Sequence, residues 1–200
     1  MATYPDYNLN DPYTPNEWYS TGWDDLSQQE QTNTLYSMWR NRAVLDTYEP
    51  GSTFKVITAS IGLEENVVET DTENDFFCSG YENVADRRIN CSNLAGHGSQ
   101  TLRNALENSC NPALIQLGQR IGVEKFYDYL EAFGFFDKTG VDLPSEGTSS
   151  FWSEDSVGPV ELATMSFGQR FTITPLQLIT AISSIANDGK MVTPHVVKQI

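Results

Sequence analysis

The spacing of apolar and polar positions predicts seven helices along this chain. In several stretches, apolar residues recur every three or four positions, which is the period of a helix with one buried face. Glycine, proline and asparagine lie at the ends of these stretches, where such residues commonly stop or start a helix. The predicted helices span residues 26–39, 54–63, 102–106, 113–121, 123–133, 161–167 and 175–186.

Two segments have the character of β-structure instead. Residues 79–90 lie between two cysteines and include a glycine, and we expect them to form a β-hairpin. The pattern of residues 191–200 predicts a strand, and Pro194 would either break this strand or confine it to the edge of a sheet. Helices combined with such strands predict an α+β fold in one domain over residues 1–200.

The net charge of the chain argues against some classes of binding partner. Its 200 residues include 27 acidic and 12 basic side chains, which gives a formal net charge of −15. Nucleic acids and anionic membrane surfaces attract clustered lysine and arginine, so we expect neither as a partner. No apolar run reaches the length of about eighteen residues needed to cross a membrane, and the first residues lack the features of a signal peptide.

Candidate chemistry begins where a proline–glycine turn leads into the helix predicted from residue 54. Ser52 and Lys55 are three positions apart, so a helix would place them on one face. A serine becomes a good nucleophile when a neighbouring base accepts its proton, and a buried lysine can be that base. A serine that caps a helix beside a solvated lysine would give the same pattern, so the pair alone is weak evidence.

A second motif strengthens the interpretation of Ser52 as a nucleophile. The tripeptide Ser109-Cys110-Asn111 follows 57 residues later (109 − 52), and Pro112 then introduces the next predicted helix. Serine-x-x-lysine followed by serine-x-asparagine is the order of motifs in penicillin-binding proteins and related β-lactamases. Two motifs in this order arise by chance far less often than one.

Beyond these motifs, the chain resembles the transpeptidase domain of class B penicillin-binding proteins. The likeness is strongest to the subgroup of stage V sporulation protein D and the peptidoglycan D,D-transpeptidases, and it covers most of the chain after about residue 40. The further segments that carry it are Met1-Ala2-Thr3-Tyr4-Pro5, Asn41-Arg42-Ala43-Val44, Gly96-His97-Gly98, Thr139-Gly140-Val141-Asp142-Leu143-Pro144, Gly168-Gln169 and Thr174-Pro175-Leu176-Gln177-Leu178.

The resemblance implies an acyl-transfer enzyme of cell-wall synthesis. Such an enzyme cleaves the terminal D-Ala–D-Ala bond of a peptidoglycan stem peptide and passes the acyl group to an amine on a neighbouring strand. Ser52 would form the acyl-enzyme, Lys55 would be its general base, and Ser109 would relay protons. Asn111 would bind the substrate amide. β-Lactams, which imitate the substrate, would acylate the same serine.

The resemblance also implies a fold and a set of partners. Helices would pack on a mainly antiparallel sheet, as in the serine β-lactamases, and Gly168 and Gln169 would lie at the substrate cleft. Other proteins of the wall-synthesis complex would be partners, whereas no cofactor and no metal is implied. The alternatives are a β-lactam-binding sensor without turnover and a serine β-lactamase, although the glutamate motif of class A β-lactamases is not recognisable.

One motif of the family is not where the resemblance requires it. The family has a third motif, lysine-(threonine or serine)-glycine, on a strand beside the nucleophile. Lys138-Thr139-Gly140 has the right letters, but it comes too soon after Ser109 and runs into a segment that the family uses as a turn. We therefore expect the motif after residue 200, and a chain incomplete at both ends that is inactive by itself. A membrane anchor would lie upstream and hold the enzyme on the extracytoplasmic face.

Three cysteines leave one unpaired in any disulfide scheme. Cys78 and Cys91 bracket the predicted hairpin and could form a disulfide in an extracytoplasmic protein, or they could remain two buried thiols. Cys110 is expected to fill space beside the pocket. Zinc is not expected, because there is no C-x-x-C pair and only His97 and His195 could join the cysteines.

Overall fold

The computed structural model describes residues 4–198, in which helices are the main regular elements. The α-helices are α1 Gln28–Trp39, α2 Arg42–Leu45, α3 Lys55–Glu64, α4 Leu102–Glu107, α5 Asn111–Ile121, α6 Val123–Ala132, α7 Pro159–Met165 and α8 Pro175–Ala186. The strands are β1 Phe76–Cys78, β2 Tyr81–Val84, β3 Arg87–Asn90 and β4 Gly98–Gln100, and single 3-10 turns occur at Trp23–Asp25, Gly51–Phe54 and Glu154–Ser156. The predicted helices are confirmed, with ends shifted by up to a few residues.

The strands form two small antiparallel sheets. Strands β2 and β3 pair as a hairpin, which confirms the prediction for residues 79–90. Strand β1 pairs with β4, so that Cys78 lies opposite Gly98. The α+β class is confirmed, and within residues 4–198 its sheet component consists of these two pairs.

The strand predicted for residues 191–200 is wrong for the described part of that segment, since residues 191–198 form no strand. The backbone N–H groups of Val196 and Val197 donate instead to the Asp142 carboxylate, at 2.6 and 2.8 Å. Pro194 lacks the N–H that a strand ladder needs, and no described strand lies beside the segment to pair with it. Residues 199–200 lie outside the described residues.

Helix α5 lies in the centre of the core and packs against α3, α7 and β1. Its Ala113, Leu114, Ile115 and Leu117 have no exposed surface. Helix α3 approaches it closely because Gly62 has no side chain, and a Cβ there would lie only 2.7 Å from a methyl carbon of Leu117. This packing brings the first residues of α3 and α5 together.

Aromatic rings anchor the turn before α3. Phe54 is fully buried, and its ring centroid lies 4.8 Å from that of Phe171 and 5.5 Å from that of Phe135. Replacing a buried phenylalanine with alanine typically costs about 3–5 kcal/mol. Because the core fixes Phe54, it also fixes the positions of its two neighbours, Thr53 and Lys55.

Candidate active site

Two glycines shape the turn that carries Ser52. Gly51 has a φ of +57° and Gly168 a φ of +84°, which is backbone that favours glycine. The Gly51 N–H donates to the Gly168 carbonyl at 2.8 Å, and a Cβ at Gly168 would lie only 2.1 Å from the Gly51 oxygen. Ser52 follows in the 3-10 turn, one turn before α3, with its side chain exposed. The close contact of the two glycines thus presents Ser52 to solvent.

Lys55 is the buried cation of this site. It is 2% exposed, and its ammonium donates three hydrogen bonds. They go to the Ser109 carbonyl at 2.7 Å, to Ser109 Oγ at 3.0 Å and to Asn111 Oδ1 at 2.7 Å. The two sequence motifs are therefore joined through one side chain, and each proton of the ammonium has an acceptor.

The loop between α4 and α5 positions those acceptors. Ser109 has a φ of +48°, which a non-glycine residue seldom adopts and which turns its carbonyl and hydroxyl towards one group. The Ser109 and Cys110 N–H groups close the end of α4 through the carbonyls of Leu106 and Ala105, at 3.0 and 2.8 Å. Strain of this kind persists where the surroundings enforce it, and it is concentrated at functional sites.

Burial changes the acidity of the lysine. Loss of solvent lowers the pKa of Lys55 to about 8, and the nearby thiols of Cys110 and Cys91 act in the opposite, raising direction. A group with this pKa is neutral in roughly a tenth of the molecules at neutral pH. The Lys55 amine can therefore act as a base, which a solvated lysine could do only rarely.

Ser52 and Lys55 are near in sequence, but they are not hydrogen-bonded to each other. Within residues 4–198, the three hydrogen bonds of Lys55 Nζ go to the Ser109 loop, and the Ser52 hydroxyl has no side-chain partner. Catalytic hydrogen bonds are often long in the absence of substrate and shorten when it binds. When Lys55 is neutral it has one proton fewer to donate and a lone pair that Ser52 or Ser109 can use.

The two residues expected at the substrate cleft lie in different environments. Gly168 is buried against the turn of Ser52, whereas Gln169 is exposed. Gly168 thus contacts the backbone of the candidate nucleophile turn directly. A substrate-binding role for either residue remains a prediction.

The tripeptide Lys138-Thr139-Gly140 lies in a turn away from this network. The Glu146 carboxylate accepts hydrogen bonds from the Thr139 N–H at 2.9 Å and from the Gly140 N–H at 3.0 Å. The tripeptide is not part of a strand. Its described hydrogen bonds support its assignment as a structural turn.

The cysteines form a group that the sequence did not suggest. The sulfur atoms of Cys78, Cys91 and Cys110 and a ring nitrogen of His97 all lie within 4.8 Å of one another. All three cysteines are free and buried in this structure, so Cys78 and Cys91 match the alternative of two buried thiols and not the possible disulfide. The spacing of 13, 6 and 13 residues (91 − 78, 97 − 91, 110 − 97) matches no familiar motif, so the spacing alone did not indicate that these four side chains lie together. The glycines on either side of His97 were the one available signal.

No helix within residues 4–198 is both long and apolar enough to cross a bilayer.

Comparisons with known proteins identify the family of this chain. The family model described as the penicillin binding protein transpeptidase domain matches residues 2–200. Stage V sporulation protein D of Bacillus subtilis is 42% identical over 176 residues, which are 88% of this chain and 27% of that protein. The peptidoglycan D,D-transpeptidase MrdA of Acinetobacter baumannii is 34% identical over 169 residues, which are 79% of this chain and 25% of that protein. The chain thus spans about a quarter of the length of these relatives.

A solved structure gives the same result for the fold. The structure of Pseudomonas aeruginosa PBP2 in complex with WCK 5153 has a TM-score of 0.81 and 25% identity to this chain. The match includes 100% of this chain and 46% of the PBP2 chain. Since the family match spans nearly all residues, the chain belongs to the penicillin-binding protein transpeptidase family.

Proposed function

We propose that this chain contributes the nucleophile half of a serine D,D-transpeptidase active site that cross-links peptidoglycan. Its substrates would be stem peptides that end in D-Ala–D-Ala, and β-lactams would be its inhibitors. The observation that carries the proposal is the buried Lys55, whose pKa is lowered to about 8 and which hydrogen-bonds both Ser109 and Asn111. The names of the relatives, among them peptidoglycan D,D-transpeptidases, support the same activity.

In the first step, Ser52 Oγ attacks the carbonyl carbon of the penultimate D-alanine. The neutral Lys55 amine accepts the Ser52 proton, so that the oxygen bonds to carbon as an alkoxide would. The backbone N–H of Ser52 would stabilise the negative oxygen of the tetrahedral intermediate. Each turnover thus begins with a lysine that burial has left partly unprotonated.

Ser109 then moves the proton onward. Its hydroxyl lies 3.0 Å from Lys55 Nζ, which is hydrogen-bonding distance. It passes the proton to the nitrogen of the departing D-alanine as the carbon–nitrogen bond breaks. In the second half, an acceptor amine attacks the acyl-enzyme, gives up its proton by the reverse route and releases Ser52.

The substrate fixes where the protein works. Peptidoglycan lies outside the cytoplasmic membrane, so the site must face that side. We infer that an anchor upstream of this chain holds the enzyme there and that other wall-synthesis proteins recruit it. A lysine-(threonine or serine)-glycine strand, the third motif of the family, would complete the oxyanion hole and bind the substrate carboxylate.

Covalent labelling tests this proposal. The full-length protein and the 200-residue chain are each incubated with a fluorescent penicillin, and the adduct is measured by intact mass. We expect one adduct on the full-length protein, no adduct after Ser52→Ala, and an unlabelled 200-residue chain. Ser60→Ala is the matched control, since Ser60 lies on α3 and its hydroxyl bonds only the Val56 carbonyl of its own helix.

The same experiment separates the alternatives. Labelling that survives Ser52→Ala would contradict the assignment of the nucleophile. Hydrolysis of a chromogenic β-lactam over many turnovers would identify a β-lactamase. Stable labelling without transfer of a D-alanyl donor to an amine would favour a sensor domain.

A further inference from the structure

A polar cleft with an exposed aromatic ring opens beside the turn that carries Ser52. Its volume is about 660 Å³, and Glu49, Arg170 and Trp152 are among the residues that line it. Glu49 is three residues before Ser52, and three residues of extended chain span at most about 11 Å. A peptide that reacts with Ser52 can therefore extend a neighbouring side chain into this cleft.

The backbone and two stacked rings give the cleft a fixed shape. Two isolated antiparallel bridges join the three segments that form it, Tyr48 to Ile173 and Ser150 to Thr172. The rings of Phe151 and Phe171 stack in these segments, with centroids 4.7 Å apart. The Trp152 indole N–H donates to the Arg170 carbonyl at 3.1 Å, and the Trp152 side chain remains exposed. The tryptophan is thus held in place while its surface is available to a ligand.

Arg170 has a backbone conformation that suits glycine. Its φ is +66°, a region in which side chains other than asparagine and aspartate are uncommon. The Arg170 N–H donates to Glu49 Oε1 at 3.0 Å, which holds the two residues side by side. Strained residues of this kind are concentrated at functional sites. A glycine would adopt this conformation without strain, so the backbone gives no reason for an arginine at this position.

Glu49 and Arg170 offer opposite charges to the cleft. Within residues 4–198, Glu49 Oε2 accepts no hydrogen bond, and the Arg170 guanidinium bonds one carboxylate, that of Glu161, at a long 3.4 Å. A guanidinium can bind a carboxylate through two parallel N–H groups, and a carboxylate oxygen can accept from an ammonium. The exposed Trp152 ring can pack against the methylene groups of a ligand. The three side chains together suit a flexible apolar stem that ends in both charges.

We propose that this cleft binds a substrate side chain that ends in a zwitterionic amino acid group, with a carboxylate and an ammonium on one carbon. Arg170 binds the carboxylate, Glu49 binds the ammonium, and Trp152 covers the apolar stem. The inference rests on the proposed function, because the side chain belongs to the peptide that acylates Ser52.

The bound side chain is that of the donor peptide and not that of the attacking strand. An amine must lose its proton before it can attack the acyl-enzyme, whereas the Glu49 carboxylate favours the charged ammonium. In the donor, the residue before the terminal D-Ala–D-Ala adjoins the alanine whose carbonyl Ser52 attacks. Its side chain is therefore the one that can reach the cleft.

Binding to a protein without the nucleophile gives the direct test. The full-length Ser52→Ala protein is titrated by calorimetry with four Nα-acetylated peptides of the form X-D-Ala–D-Ala. X is 2,6-diaminoheptanedioic acid, lysine, 2-aminoheptanedioic acid or norleucine, so that the side chain ends in a zwitterion, an ammonium, a carboxylate or a methyl group. We expect the zwitterionic peptide to bind about tenfold more tightly than the norleucine peptide, or better. Equal affinities of these two peptides would overturn the proposal.

Two substitutions in the same protein assign the contacts. Arg170→Gly removes the guanidinium and suits the local φ, so it should abolish the preference for a carboxylate without lowering the midpoint of thermal unfolding. Glu49→Gln keeps an oxygen that can accept from the Arg170 N–H, and it should abolish the preference for an ammonium. Arg103→Met is the matched control, since this exposed arginine pairs with Asp71 on the surface and should leave the order of the four affinities intact. An equal loss of affinity for all four peptides would indicate a structural role and contradict the proposal.

Penicillin labelling of the unaltered full-length protein separates this inference from the proposed function. Failure to label Ser52, with the expected order of peptide affinities, would contradict the catalytic proposal and support the cleft. Labelling of Ser52 with equal peptide affinities would overturn the cleft alone.

Discussion

The loop of Ser109, Cys110 and Asn111 serves two regions that differ in kind. On one side, Ser109 and Asn111 bond the buried ammonium of Lys55, and each of its donors has an acceptor. On the other side, Cys110 joins two further thiols and His97, which hold one another only weakly. The difference shows that successive side chains of one short loop can have separate roles: Ser109 and Asn111 bond the candidate base Lys55, and Cys110 packs with the other thiols and His97.

Removal of the candidate base, Lys55, is expected to have the largest effect, and it should affect only the Lys55 side of the loop. Lys55→Met keeps the length and the apolar stem of the side chain but removes the proton acceptor. We expect the rate of penicillin acylation to fall by roughly 10²–10⁴, which is the usual contribution of a general base.

The control for this change is Lys125→Met on α6, where the lysine side chain is half exposed. It should leave the acylation rate within about twofold, since its two surface ion pairs, with Glu65 and Asp128, contribute little. If Lys55→Met retained acylation within tenfold of wild type, Lys55 would not be the base.

The pH dependence of acylation is the next largest expected effect, and it reports on the Lys55 side of the loop. Because burial lowers the pKa of Lys55 to about 8, the neutral amine becomes scarcer as the pH falls below that value. The acylation rate should therefore fall about 50-fold from pH 8 to pH 6, as the neutral fraction does. Rates of adduct formation across this range provide the measurement, and a flat profile would show that loss of a proton from Lys55 does not limit the reaction.

The nucleophile turn should respond to a single methyl group. Gly168→Ala places a carbon 2.1 Å from the Gly51 oxygen, so the turn of Ser52 must shift. We expect acylation to slow by about tenfold and the free energy of unfolding to fall by about 1–3 kcal/mol. Gly189→Ala is the control, because Gly189 also has a positive φ, +76°, but no atom lies within 4 Å of its added carbon. Equal effects of the two changes on acylation would mean that backbone conformation, and not the contact with Gly51, matters.

The smallest effect is expected at the tripeptide that imitates the third motif. Lys138→Ala should leave acylation within about twofold, because the neighbouring Thr139 and Gly140 bond Glu146 and none of the three residues bonds Lys55. Labelling kinetics of the full-length protein would measure it. A tenfold loss would show that Lys138 serves the substrate carboxylate after all.

The sequence indicated which residues meet around Lys55, and part of the physical reason is local. Ser52 and Lys55 are separated by one helical turn, and residue types at a fixed offset keep their relation in any context. Proline, glycine and asparagine marked the helix ends for the same reason. The class of the fold and the hairpin of residues 79–90 followed from such short-range patterns.

The grouping of the three cysteines with His97 could not be predicted from the sequence, because it depends on how the strands pair. Cys78 and His97 meet only because β1 pairs with β4, with Cys78 opposite Gly98. Nothing within either segment specifies that register. The strand predicted near Val196 failed for a related reason, since a strand requires a partner and the Asp142 carboxylate takes its N–H groups.

Asn111 has a consequence for how the protein ages. Its amide is used from both ends, with Oδ1 accepting from Lys55 at 2.7 Å and Nδ2 donating to the Asn90 carbonyl at 3.3 Å. Deamidation would put a carboxylate against the ammonium and hold it in its charged form. The common route to deamidation needs the backbone nitrogen of the next residue as a nucleophile, and Pro112 offers no N–H there. Pro112 therefore gives the site a chemical lifetime that an asparagine before glycine or serine would lack.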